Sequence, residues 1–482
     1  MFDLRPVGYV IGLLLLALGA TMLLPLALDI YDGEGHWDAF LESCLITMLA
    51  GGLMSLACAN GVGDRLSLEQ TFLLTSGVWF MLPIFGALPF ILGATEARAV
   101  DAFFEAMSGL TTTGSTVFTG LEDLPRGLLL WRGILQWLGG IGIIVVAMVF
   151  LPELRVGGMQ IFRSEAFETM GKILPRATAI ASQISGIYVG LTLACFLSYV
   201  GVGMDWFDAV VHSLTTISTG GFANYDASFG VFTGVAEYVA SVFMVLAALP
   251  FVRYVQLVNG NTTAIFRDAQ IRGFFFVIAV LVTVTSGVLT TVFPHHWEQA
   301  LREALFNITS IISGTGYSSV DYMNWGPFLI ALFFFIGLIG GCAGSTACSV
   351  KIFRYQLLIS AIRVQLQRIH TPSGVFTTRY DGRTVGDDVI SSVMAFFTFF
   401  IVSLGVLSVA LGLTGLDFIT SVSGAATALA NIGPGLGDQI GPAGNFAGLN
   451  DSAKWMLSFA MLVGRLELLA VFALFTVQFW RA

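Results

Sequence analysis

Long apolar runs, separated by short clusters of glycine, proline and charge, make up most of the chain, and their lengths predict membrane-crossing helices. Ten runs approach or exceed the roughly 20 residues that an α-helix needs to cross the hydrocarbon core. They lie near residues 7–28, 39–60, 68–92, 128–150, 180–202, 232–252, 273–294, 326–350, 389–413 and 454–480. Four further apolar stretches of only 10–15 residues fall between them: "DAFFEAMSGL" from Asp101, "WFDAVVHSLTTI" from Trp206, "WEQALREALFNITSI" from Trp297 and "LDFITSVSGAATALA" from Leu416. These are too short to cross and predict re-entrant half-helices. An acidic residue opens each (Asp101, Asp208, Glu298, Asp417), where a carboxylate meets the unsatisfied amides and positive dipole end. After a leading helix pair, residues 1–66, the unit span, half-helix, loop, span recurs four times, over 67–178, 179–270, 271–387 and 388–482.

Each half-helix runs into a loop of small residues: "GLTTTGSTVF" from Gly109, "SLTTISTGGFAN" from Ser213, "ITSIISGTGYSS" from Ile308 and "AATALANIGPGLG" from Ala425. Non-helical backbone at membrane depth is tolerated only where protein buries it or where it lines a watery cavity. A cation losing its hydration shell needs several oxygens at close range, and backbone carbonyls supply them without a formal charge that would trap it. Pointing successive carbonyls at one axis requires unusual backbone angles, which glycine adopts cheaply. Aligned, the loops read Thr112-Thr113-Gly114, Ser218-Thr219-Gly220, Gly314-Thr315-Gly316 and Asn431-Ile432-Gly433. In the second loop Gly220 and Gly221 are adjacent, which leaves its register open by one residue.

Composition agrees with this reading. Of 482 residues 56% are hydrophobic and 11% charged, so the fold class is an all-α polytopic membrane protein. The first run follows a lone Arg5, lacks a small-x-small cleavage site and exceeds a signal h-region in length, so it is expected to stay as a span. A formal net charge of -9 argues against nucleic acid as a partner. Sixteen basic residues fall on the side that holds both termini, and only Arg98, Arg126, Arg302 and Lys454 fall on the other. This bias predicts cytoplasmic termini and loops opening outward. Asp29, Asp226, Asp321 and most other carboxylates gather on the outer side, where they attract cations. Cys44, Cys58, Cys195, Cys342 and Cys348 lack metal-ligand spacing and read as core thiols. His212, His295 and His296 read as vestibule or packing residues. No nucleophile, base and orienter can be assembled, and no glycine-rich nucleotide loop follows a strand, so the chain reads as a non-enzyme.

The stretches "QWLGGIGIIVVAMVFLPELRVGGMQIFRSE" from Gln136, "STGGF" from Ser218, "GGCAGST" from Gly340 and "ANIGPGLG" from Ala430 resemble the Trk/Ktr/HKT superfamily, and above all its TrkH-type potassium uptake membrane subunits. Thr315, Gly316 and Tyr317 also echo the potassium-channel filter. The resemblance covers essentially the whole chain. It implies four helix, re-entrant pore helix, filter loop, helix units around one pore, with K+ as the permeating ion and no organic cofactor. The filter glycines carry over to Gly114, Gly220, Gly316 and Gly433. Gly114, where sodium-favouring relatives often have serine, implies potassium. "FFFIGLIGGCAGSTACSVKIFR", from Phe333, corresponds to an intramembrane gating loop, with Gly340, Gly341, Gly344, Ser345 and Thr346 at its centre. A small-residue helix contact is the alternative, and Ala347, Cys348 and Ser349 depart from the family's glycine-richer ending. Arg465, within the last apolar run, is implied as a barrier below the filter, with an internal salt bridge as the alternative. For Lys351 a similar role and an interfacial lysine both stand. The resemblance further implies a homodimer in the bacterial inner membrane, docked through residues 157–179 and 352–388 on a cytosolic TrkA-like ring of nucleotide-binding domains. A sodium- or proton-coupled secondary transporter is the rival reading. It predicts two inverted repeats and intramembrane carboxylates, whereas this sequence has four repeats of one orientation.

Overall fold

A computed structural model describes residues 3–33, 35–61, 66–149, 158–159, 177–293 and 296–481. Most of the first basic segment, 157–179, and Arg65 and His295 lie outside them. The leading pair consists of Arg5–Thr21, continued through Met22 by Leu23–Asp32, packed against Trp37–Cys58. Glycine makes the seam. A Cβ on Gly12 would stand 2.7 Å from the Gly51 carbonyl oxygen, and one on Gly51 the same distance from that of Gly12. The two backbones therefore touch directly, which maximises dispersion where lipid offers no hydrophobic contrast. Gly12→Leu is expected to separate the pair and cost about 1–3 kcal/mol, seen as a lower unfolding temperature of the purified protein in detergent. Asp29, fully buried, accepts from the Gly127 N–H at 2.9 Å and joins the pair to the first repeat.

Each repeat opens with a long span: Leu68–Leu92, Ala177–Gly201, Ala269–Thr291 and Asp387–Leu413. The half-helices follow as Ala99–Leu110, Trp206–Ile217, Trp297–Ser313 and Phe418–Ala430. Asp101, Asp208 and Glu298 stand in the first turn of their helices and Asp417 at the N-cap of the fourth, as expected, but not all of them cap. Asp417 does cap its helix, accepting from the Ile419 and Thr420 amides. At the second helix Asp205 is the cap, and Asp208 instead accepts from Asn224 and Tyr225. His296 caps the third. Asp101 makes no cap bond and pairs with Arg98 and Lys454.

The returning helices reduce the expected ten runs: among the described residues seven helices are continuous and apolar enough to cross, and the glycine-rich third return breaks where the resemblance implies a loop. Arg126–Val149 returns intact. The other three returns break. Val235–Ala247 turns by 89° into Phe251–Val258 at Pro250, which has no amide to continue a helix. Gly326–Gly337 gives way to a loop held between two short parallel strands, β1 (Ile339–Gly340) and β2 (Val350–Lys351), and the chain then leaves as Ile352–His370. Asp451–Arg465 stops where Glu467 and Leu468 take left-handed angles, φ 60° and 51°. The breaks satisfy one another's freed backbone groups, as buried irregular backbone must. The Cys342 amide donates to the Ala248 carbonyl at 3.0 Å and the Phe251 amide to the Gly344 carbonyl at 2.9 Å, while Thr346 Oγ1 donates to the Ala247 carbonyl at 3.0 Å.

Candidate functional site

The four half-helices end in the same way. Just past each C-terminus one residue turns left-handed: Thr112, Thr219 and Asn431 at φ 51° and Gly314 at φ 80°. The next amide then reaches back to the helix in three of the four loops: Thr113 to the Ser108 carbonyl (2.8 Å), Gly220 to Thr215 (2.8 Å) and Ile432 to Thr427 (3.0 Å). A glycine follows, at φ 86° for Gly114, 77° for Gly221 and 82° for Gly316. This shared geometry fixes the register left open by the sequence. Gly221, rather than Gly220, is the counterpart of Gly114, and Ser218 is the counterpart of Thr111. Gly433 holds the fourth place without a positive φ.

The four loops pack around a common centre. A Cβ on Gly114 would run into the Gly220 carbonyl oxygen, and one on Gly221 into that of Thr315. A Cβ on Gly316 would lie 2.6 Å from the Gly433 amide nitrogen, and one on Gly433 3.2 Å from the Gly114 carbonyl oxygen and 3.4 Å from that of Gly316. Each glycine therefore lies against a neighbouring loop; a Cβ on Gly114, Gly221 or Gly316 would force neighbouring backbone aside, and one on Gly433 would need only a small shift. Outside it opens a cavity of about 150 Å³ whose wall includes Gly114, Gly221, Gly316 and Gly433 together.

Side chains around the ring bond to each other and to backbone. Thr111 and Thr113 hydroxyls meet at 2.7 Å, as do those of Ser313 and Thr315. Asn431 Nδ2 crosses to Thr113 Oγ1 (3.0 Å) and to the Met461 carbonyl (2.8 Å), and Ser115 Oγ donates to the Gly433 carbonyl (2.8 Å). Tyr317 is buried with its hydroxyl against Thr215 and Thr216. His212 packs among Phe229, Phe232 and Tyr317. Glu105, also buried, accepts from Arg132 Nε (2.8 Å) and from the Val117 amide (2.9 Å), and Arg132 Nη1 donates to the Ala223 carbonyl (2.7 Å). That ion pair ties the outgoing segments of the first two loops together.

The loop between β1 and β2 lies against the other side of the ring. Cys348 Sγ is 3.6 Å from Thr112 Oγ1, and a Cβ on Gly314 would be 3.2 Å from the Cys348 amide nitrogen. Gly340 is in β1, its missing Cβ leaving room for the Cys348 carbonyl, and Gly341 lies on Ala248. Gly344 is left-handed at φ 73°, and Ser345 Oγ donates to the Cys342 carbonyl at 2.6 Å. Lys351 is buried and donates to the Ala347 carbonyl.

Arg465 sits at the break of the last helix, correcting the expectation of an uninterrupted span around it. Its guanidinium donates to the Thr346 carbonyl (3.4 Å), to Cys348 Sγ and to the Gly139 carbonyl (3.3 Å), and lies 5.6 Å from the Trp79 ring centre. Among the described residues no carboxylate pairs with it, since Glu467 binds Arg354 instead. Arg465, Lys351, Cys348 and Asn431 share a small cavity under the ring.

The chain matches the family model for TrkH, described as a cation transport protein, over residues 36–480. It belongs to the TrkH family. Within that family it is 43% identical to the Trk system potassium uptake protein TrkI of Halomonas elongata over 99% of this chain and 97% of the relative. It is 35% identical to TrkH of Escherichia coli K12 over 99% of each. The crystal structure of the potassium transporter TrkH from Vibrio parahaemolyticus superposes with a TM-score of 0.92 at 33% identity, covering 100% of both chains. Gly221 stood as the open alternative to Gly220, and the residues to which the sequence reading gave no role are Gln136 and the Glu105–Arg132 pair. A buried glutamine and arginine inside apolar helices were their available signal, because polar groups at that depth need partners.

Proposed function

We propose that this chain is the membrane subunit of a Trk potassium uptake system and passes K+ inward through one gated pore. The cavity walled by one glycine from each repeat carries this reading. K+ enters it and exchanges water for backbone carbonyls of Thr112–Gly114, Thr219–Gly221, Gly314–Gly316 and Asn431–Gly433. The acidic outer surface raises the local cation concentration. The membrane potential drives entry with about 2.3 kcal/mol per charge per 100 mV. Beneath the filter, the loop from Gly340 to Lys351 and the guanidinium of Arg465 form the gate: the loop fills the path and the charge repels the ion. The repeat order supports this over a coupled carrier built on two inverted repeats.

The sixteen-to-four distribution of basic residues supports an inner-membrane subunit with both termini in the cytoplasm. The relatives are named as Trk system proteins, which supports a partner subunit; the homodimer and the cytosolic TrkA-like nucleotide-binding ring rest on the family resemblance. Ile352–His370 and the hairpin of β3 (Arg379–Tyr380) and β4 (Arg383–Thr384) offer that ring an exposed basic face. Expression in a bacterial strain stripped of its own potassium uptake tests the reading. Growth at limiting K+ is expected, and its absence from a strain with the protein in its membrane contradicts it.

A further inference from the structure

We infer that Gln136, on the intact return helix of the first repeat, is a positioning residue that sets the ion selectivity of the second filter loop. The inference rests on the filter reading above. Gln136 is fully buried. Its Nε2 donates to the Gly220 carbonyl at 2.7 Å, and its Oε1 accepts from the Phe222 amide at 3.0 Å. Only this orientation of the amide serves both partners. The side chain thus spans Gly221, gripping the backbone on either side of the ring glycine.

The second loop needs this support more than the others. The position before the ring glycine is Thr113 in the first loop and Thr315 in the third, where a hydroxyl fixes the loop through Thr111 or Ser313. In the fourth it is Ile432, whose side chain is buried. In the second it is Gly220, so two consecutive glycines, Gly220 and Gly221, form this part of the loop with no side chain of their own to fix them. Glycine pairs have the greatest backbone freedom, whereas carbonyl selectivity depends on the number and placement of oxygens. The space of the missing side chain is already filled: a Cβ on Gly220 would collide with the Gln136 amide. Gln136 therefore replaces, from a neighbouring helix, the brace that threonine supplies in loops one and three. It also acts on the Gly220 carbonyl itself. Among the described residues no side chain donates to the equivalent carbonyls of Thr113, Thr315 or Ile432, so this oxygen alone at its level is shared between an ion and a protein donor.

The test is the K+ to Na+ flux ratio of the full-length protein in liposomes at fixed voltage. Gln136→Glu keeps the size and the acceptor for Phe222 but, when ionised, removes the donor to Gly220; Gln136→Ala removes both. Each is expected to lower the ratio roughly five- to tenfold. The double variant Gln136→Ala with Gly220→Thr restores a threonine beside Ser218, and is expected to regain most of the ratio. Trp137→Phe, whose indole faces Thr192, is expected to match the wild type. A wild-type ratio in Gln136→Glu or Gln136→Ala overturns the inference, as does a double variant no more selective than Gln136→Ala alone. A wild-type protein that does not prefer K+ instead overturns the filter reading itself.

Discussion

Gly221→Ala is expected to lower K+ uptake by at least about tenfold, the largest loss of any single methyl added to the ring. A left-handed conformation costs an L-residue about 1–2 kcal/mol, and each ~1.4 kcal/mol is a factor of ten in rate. The Cβ would also land on the Thr315 carbonyl oxygen, so the strain has no local escape and must displace a coordinating group. Gly433→Ala makes the informative comparison. Gly433 is not left-handed, and the nearest contact of its Cβ would be 3.2 Å, so this variant should keep most of its uptake and lose discrimination between K+ and Na+. Tracer uptake of ⁴²K+ or Rb+ into cells, with surface expression measured in parallel, checks both. Equal effects at the two positions would count against the geometry of the ring.

Arg465→Gln should act in the opposite direction, raising cation flux at fixed driving force by roughly tenfold or more. At an effective dielectric near 20 a unit charge repels a passing cation by about 4 kcal/mol at ~4 Å and by about half of that at twice the distance, enough to raise the barrier severalfold to more than tenfold in rate. The same guanidinium holds the loop by its bonds to Thr346 and Cys348, so its removal also frees the obstruction. Arg465→Lys separates the two effects. It keeps the charge while losing the forked geometry, and flux near the wild type would show that charge dominates. Single-vesicle flux assays resolve these differences. A Gln variant that folds and carries no more ion than the wild type would leave Arg465 as a purely structural tie.

Much of this arrangement is legible along the chain because the bilayer imposes it. Four half-helices follow from apolar stretches too short to cross, and their loops from glycine and hydroxyl residues that suit buried backbone lining a watery path. The breaks in the second and fourth returning helices were harder to see. Residues 232–252 and 454–480 are apolar enough to pass for spans, and the bends depend on partners more than 90 residues away, Thr346 for Ala247 and Arg354 for Glu467. Pro250 marked the first bend, and Arg465 with Glu467 the second. The register of the second loop was ambiguous for a related reason. In "STGG" either glycine fits a pattern, and it is the left-handed Thr219, the short bond from the Gly220 amide to Thr215 and the positive φ of Gly221 that together place Gly221 in the ring. Asp208 likewise reads as a cap from its position, yet Asn224 and Tyr225 fold back to claim it.

The account depends most on the ring of four loop glycines being a potassium filter. Reconstituting the protein in liposomes and comparing K+, Rb+ and Na+ flux at a clamped voltage, with and without a pH gradient, tests that claim most directly. The account predicts K+ and Rb+ flux well above Na+, in proportion to the voltage and present without a pH gradient. Equal flux of the three ions, or K+ movement only when a proton or sodium gradient is imposed, would contradict it.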